Sequence, residues 1–172
     1  MSVTDSAGVS RFESPSANLT DDGTTATVKV PAALLFTNTR TGDYGKRVMV
    51  VRGSKGTFVL RSLAEKNENP LVSADVSGPV SITVDERDDK GKVVLYTLTG
   101  DNLDVRSEGD DKVFTLAGNV HLTSDKSEPD KPGTLLNFDV AQASVTVDKD
   151  FEVKKVKTKG SGTGTLKDKD GQ

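Results

Sequence analysis

Cysteine and tryptophan are absent from these 172 residues, histidine occurs once and tyrosine twice. Without cysteine there are no disulfide staples, no thiolate zinc ligands and no thiol nucleophile, which suits a reducing cytosol or a bacterial envelope equally. A lone His121 leaves one possible centre for a Ser–His–Asp triad and excludes a multi-histidine metal site. Scarce Trp and Tyr remove the aromatic platforms on which sugars and bases stack. No run approaches the roughly 18 apolar residues of a membrane helix. The opening Met1-Ser-Val-Thr-Asp5 has neither a basic nor an apolar leader region. The expectation is therefore a cytosolic chain, or one whose leader or anchor lies outside this sequence.

An excess of one charge is also missing. Lys and Arg number 23 against 26 Asp and Glu, for a net charge of −3. The two signs are interleaved, so there is no basic stripe for a phosphate backbone and nucleic acid is not an expected partner. Helix signals are almost absent: the best window, Ser62-Leu-Ala-Glu-Lys-Asn67, is short and stops before Pro70, which predicts one turn at most.

What is present is alternation. In Phe114-Thr-Leu-Ala-Gly-Asn-Val-His-Leu122, Phe114, Leu116, Val120 and Leu122 share one parity and the polar residues the other, the pattern of a half-buried strand kinked at Gly118. Val80, Ile82 and Val84 repeat it, as do Val145 with Val147 and Phe151 with Val153. Polar, turn-forming segments punctuate these runs: Asp21-Asp-Gly23, Thr41-Gly-Asp43, Asp85–Gly91, Ser107–Lys112 and Ser124–Gly133. Hairpins follow, and hairpins make antiparallel sheet. With hydrophobic residues at 33% of the chain, a lean all-β core fits better than helices buried all round.

The alternation also repeats. Val76-Ser-Gly-Pro-Val-Ser-Ile82 aligns with Leu116–Leu122 at an offset of 40 residues, Gly78 on Gly118. The same offset places Leu95, Leu98, Leu103 and Val105 on Leu135, Phe138, Ala143 and Val145. Backwards, it takes Leu98 to Phe58 and Leu103 to Leu63. A weaker echo falls at Gly160, 42 residues beyond Gly118. Several matches in register predict a stacked β unit within one domain. Its span is 12–165, between a flexible segment over 1–11 and a charged, Gly-rich tail over 166–172.

Candidate chemistry is sparse. By parity His121 points away from the apolar face and reads as a surface strand residue. Asp85-Glu-Arg-Asp-Asp and Asp168-Lys-Asp-Gly lack the ligand spacing and closing Glu of a calcium loop. Gly160-Ser-Gly-Thr-Gly164 and Tyr44-Gly-Lys-Arg47 lack the Lys-Ser/Thr and following helix of a phosphate loop. Asn18-Leu-Thr20 is a formal glycosylation triplet that matters only in a eukaryotic secretory setting. Paired carboxylates cannot be chosen from sequence. No catalytic residue, metal site or cofactor is expected. The phenylalanines Phe58, Phe114 and Phe138 fall on apolar faces, where they either fill a core or line a cavity.

The motif apolar-x-Gly-Asn-Val-x-apolar, carried by Leu116-Ala-Gly-Asn-Val-His-Leu122 and in degenerate form by Gly78-Pro-Val80, resembles the OstA-like family of periplasmic bridge and anchor proteins of lipopolysaccharide transport. Phe12-Glu-Ser-Pro-Ser-Ala-Asn-Leu-Thr-Asp-Asp-Gly23 resembles the opening of the anchor branch, without that branch's membrane helix. The resemblance covers about residues 12–165. It implies a twisted antiparallel β-jelly roll of two facing sheets, built from the repeat, and a non-enzymatic role in cell-envelope biogenesis and outer-membrane assembly. It further implies lipopolysaccharide or another acylated lipid as ligand, other jelly-roll proteins as edge-strand partners, head-to-tail oligomers, and the periplasm as compartment. The interior lining would be Phe58, Ile82, Leu98, Phe114, Leu116, Val120, Leu122 and Phe138. Two other readings stand beside it: a structural or adhesive β-sandwich or β-solenoid with a closed core, and an enzyme on a β scaffold.

Overall fold

A computed structural model describes residues 2–5, 8–42, 45–62, 71–128, 131–149 and 153–168. Every helix or strand among them is a strand. In chain order they are β1 (Ser2–Asp5), β2 (Gly8–Glu13), β3 (Asn18–Asp21), β4 (Thr25–Val30), β5 (Leu34–Gly42), β6 (Gly45–Gly53) and β7 (Lys55–Arg61). Then come β8 (Leu71–Arg87), β9 (Val93–Glu108), β10 (Asp111–Glu128), β11 (Lys131–Val147), β12 (Val153–Lys159) and β13 (Thr163–Asp168). All pairings are antiparallel and belong to one open sheet. The Ser62–Asn67 window lies outside the described residues beyond Ser62, as do Leu63, Tyr44 and Phe151.

The sheet divides into two arms. The four long strands β8 to β11 run through both, paired to one another in each arm, and the outer two, β8 and β11, exchange their other partner midway. In the first arm β6 pairs with 81–87 of β8 and β13 pairs with 134–139 of β11. In the second, β7 pairs with 71–77 of β8 and β12 with 142–147 of β11. Strands β1, β2 and β5 extend the first arm, and β3 and β4 the second.

Where a strand passes between arms the register shifts, and the 40-residue repeat is the trace of those shifts. Breaks fall at Gly78-Pro79 against Asp101, and at Gly118-Asn119 against Ala141, so the offset links Gly78 to Gly118 and Asp101 to Ala141. Both glycines have φ near +75°, at 75° and 77°, a region closed to most side chains. A Cβ on Gly118 would also collide with the Asp101 carboxylate. Asn119 follows with φ 48° and donates from Nδ2 to Asp101 Oδ2 at 3.0 Å. On β9 parity reverses at Asp101, the single residue facing Gly78-Pro79: Val94 and Leu98 are buried before it, Leu103 and Val105 after it. Without that bulge the second half of the strand would present its apolar set to solvent.

Gly160, with φ 98°, stands opposite Ala141 where β12 gives way to β13, so the echo at 42 residues marks a further bend. The backward step of 40 does not mark equivalent positions. Leu98 belongs to the first arm and Phe58 to the second; across β8 Leu98 shares a row with Val51, and Phe58 with Val105. The hairpins are also tighter than the polar segments suggest. Strands β10 and β11 run through most of Ser124–Gly133, pairing as far as Glu128 with Lys131. At the ends, β1 and β2 occupy residues 2–5 and 8–13, and β13 reaches Asp168. Within these end segments residues 2–5, 8–11 and 166–168 are paired strand.

One hydrophobic cluster draws on both arms. Phe12 of the first arm packs on Phe36 with centroids 4.8 Å apart and ring planes tilted by 50°, and meets Phe58 of the second edge-on at 5.0 Å. Around this trio Ala26, Val28, Val30 and Leu60 are buried.

Candidate functional site

Away from the phenylalanine trio the interior is not filled. A cavity of about 540 Å³ lies between the two arms. Ile82, Leu98 and Leu122 of the first arm wall it on one side, and Phe114, Leu116, Val145, Val147 and Val156 of the second on the other. Leu116 is fully buried at its base, whereas Val156, on the edge strand β12, is 51% exposed.

Of the eight residues expected as lining, Ile82, Leu98, Phe114, Leu116 and Leu122 lie on the cavity wall. The other three do not. Phe58 is packed against Phe12, Val120 is buried in the core beside the bend of β10, and Phe138 packs on the core and covers Gly164. Parity identifies the inward face of a strand but not whether the space opposite is occupied.

The first arm's inner face is graded across its cross-strand rows. The deepest row, Val51, Ile82, Leu98, Leu122 and Phe138, is apolar throughout. One step outward, Asn38, Met49, Val84, Tyr96, Ser124 and Leu136 mix polar with apolar. The outermost row carries Arg40, Arg47, Glu86, Val94 and Lys126. All three rows contribute to the cavity wall.

The charged row is fixed by specific contacts. Arg47, its side chain 8% exposed, donates from Nε and Nη2 to Glu86 Oε2 at 2.9 and 2.8 Å. Two donors on one oxygen of a partly buried carboxylate make a directional pair rather than a loose surface contact. Arg40 is buried, donates from Nε to Asn38 Oδ1 at 3.2 Å, and reaches the Lys149 carbonyl with Nη1 at 3.3 Å. That last bond ties the end of β5 to the turn after β11, across the lip between the arms. The Lys126 ammonium lies 5.8 Å from the Tyr96 ring centroid. On the second arm's lip Lys112 is buried and donates to Ser107 Oγ at 2.6 Å. Burial, reinforced by the Arg61 charge and opposed by Asp110, lowers its pKa from the ordinary 10.5.

Other chemistry lies outside the cavity. His121 Nδ1 is 2.7 Å from Asp139 Oδ1, a cross-strand partner on the outer face that adjacency in sequence does not reveal. Asp75 and Asp104 stand opposite each other on β8 and β9, with Arg106 paired to both. Burial raises the Asp104 pKa, Arg106 opposes the rise, and Asp75 adds to it. The two carboxylates line a separate concavity with Lys29, Lys55, Val30 and Leu103. Among the described residues no group of three or more His, Asp or Glu is placed to hold a metal ion, and no helix is long and apolar enough to cross a membrane. Arg47, Glu86 and Lys126 escaped the sequence reading because they sit beside turns. Their parity, two residues from Met49, Val84 and Ser124, is the signal that places them inside.

No family model, curated protein or solved structure matches this chain.

Proposed function

We propose that this protein is a non-enzymatic acyl-chain binder, working as a lipid-transport component of the cell envelope. The observation that carries the reading is the cavity between the arms, whose deepest row and base are wholly apolar. Each methylene moved from water into such a site contributes about 0.8 kcal/mol, so a chain of a dozen carbons gains roughly 10 kcal/mol before entropic costs. No catalytic group is required for that role. The cavity's volume, about 540 Å³, falls within the usual range of small-molecule sites.

The finer architecture proposed is a twisted β-jelly roll with the arms as two facing sheets, supported by the Phe12–Phe58 contact between arms. The OstA-like motif at Leu116–Leu122 supports the same reading, with lipopolysaccharide or another acylated lipid as cargo and the periplasm as compartment. Edge strands β1 and β3 at one end, and β12 and β13 at the other, offer backbone groups to neighbouring β proteins or further copies.

Native mass spectrometry after incubation with lipopolysaccharide and with simpler acylated lipids tests the proposal. A retained ligand with one-to-one stoichiometry is expected. Failure to retain any amphiphile, from a protein that melts cooperatively, would favour a structural β protein with a closed core. The solid phenylalanine-packed end is the observation on that side.

A further inference from the structure

The apolar wall explains why a chain would enter; the charged row specifies what it is attached to. We infer that the cavity takes an amphiphile with a compact anionic head group, lying tail-inward with the head between Arg47 and Lys126. This rests on the acyl-binding reading above and adds to it a polarity, an orientation and a head-group class.

Three observations combine. The rows of the first arm pass from apolar through mixed to charged in two steps along the strands, so a tail laid against Leu98 and Leu122 brings its head to the outermost row. The cavity wall carries two cations, Arg47 and Lys126, against the single carboxylate of Glu86, in a chain whose net charge is −3. The local sign thus opposes the global one and complements an anion. Finally, Arg47 is held almost fully out of solvent by Glu86, where a charge-assisted bond to a guanidinium is stronger than at the surface. Nε and Nη2 of Arg47 are engaged by Glu86, so the head group is met by the combined positive charge of Arg47 and Lys126, which a carboxylate or a phosphate satisfies alike.

Calorimetric titration of the full chain with hexadecanoate, hexadecyl phosphate, monohexadecanoylglycerol and hexadecyltrimethylammonium separates the possibilities. Both anions should bind on the order of 10- to 100-fold more tightly than the neutral glyceride, with the cation weakest. The two anionic arms distinguish a fatty-acid from a phospholipid-type head. In Arg47→Gln combined with Glu86→Gln, which removes the pair without stranding one charge, the preference for the anions over the neutral glyceride should fall about tenfold. Lys126→Gln, at an exposed side chain, gives a smaller loss in the same direction and covers the case in which the double variant misfolds. Equal binding of all four probes overturns this inference and leaves acyl binding intact. Tightest binding by the cation overturns it likewise. No binding by any probe overturns both.

Discussion

The two ends of the interior are built from the same alternating strands, yet one is solid and the other hollow. At the solid end Phe12, Phe36 and Phe58 meet ring to ring over Val28 and Leu60. At the hollow end Val145, Val147 and Val156 face Tyr96, Val84 and Leu136 across the cavity. At the solid end Phe12 and Phe58 touch across the gap between the arms, whereas at the hollow end Tyr96 and Phe114, like the valines, line open space. Close packing is therefore a matter of which side chains meet once the two faces are set, and the sheet's own bonding keeps the hollow end from collapsing.

Substitutions that test this contrast should differ sharply in cost. Phe58→Ala empties a full site and is expected to destabilise by about 3–5 kcal/mol, whereas Leu136→Ala, half-exposed beside existing space, should cost under about 1 kcal/mol. Urea denaturation midpoints give both values. Comparable losses would mean that the hollow end is packed in solution.

Next in size are the bends that bring the arms together. Gly118→Ala must force a side chain into positive φ and against Asp101, with an expected loss of about 1–3 kcal/mol. Adding Asp101→Gly should recover part of it. An additive double variant would show that the collision is not the cause.

Enlargement reverses the contrast. Val28→Phe overpacks the solid end and should cost about 1–3 kcal/mol. Val145→Phe grows into the cavity and should leave the melting temperature nearly unchanged while abolishing acyl binding. Retained binding by Val145→Phe would place the ligand elsewhere.

A smaller effect belongs to the lip. Because burial and Arg61 lower the Lys112 pKa from 10.5, the unfolded chain holds more protons than the folded one between that lowered value and 10.5. This component of stability therefore rises with pH across the window and is lost below it. Lys112→Met removes the dependence, so its stability advantage over the parent should shrink from neutral pH to about pH 10. An advantage that grows with pH would contradict the assignment. His121→Ala, on the outer face, should change stability by no more than about 0.5 kcal/mol.

Much of the fold was legible because its devices leave residue-level traces. A strand passing between arms needs a positive-φ residue or a bulge, and Gly78, Gly118 and Gly160 mark three such places. The parity switch before Leu103 and Ala143 marks two more. What the sequence left hidden is what each buried face meets. Period 2 shows that Phe58 and Leu98 both point inward, but not that Phe58 meets Phe12 while Leu98 meets a cavity. The charged inner row was hidden for a related reason. Arg47 and Glu86 sit next to turns, where charge is ordinarily solvated, so their parity with Met49 and Val84 carries little weight until their pairing across β6 and β8 is seen.

The central claim is that the hollow end holds an acyl chain, and photo-crosslinking tests it at residue level. A fatty acid bearing a diazirine near its methyl end should label Leu98, Leu116 or Val145, as read by tandem mass spectrometry. Labelling confined to the outer face or to edge strands, with the cavity wall unmodified, would contradict it.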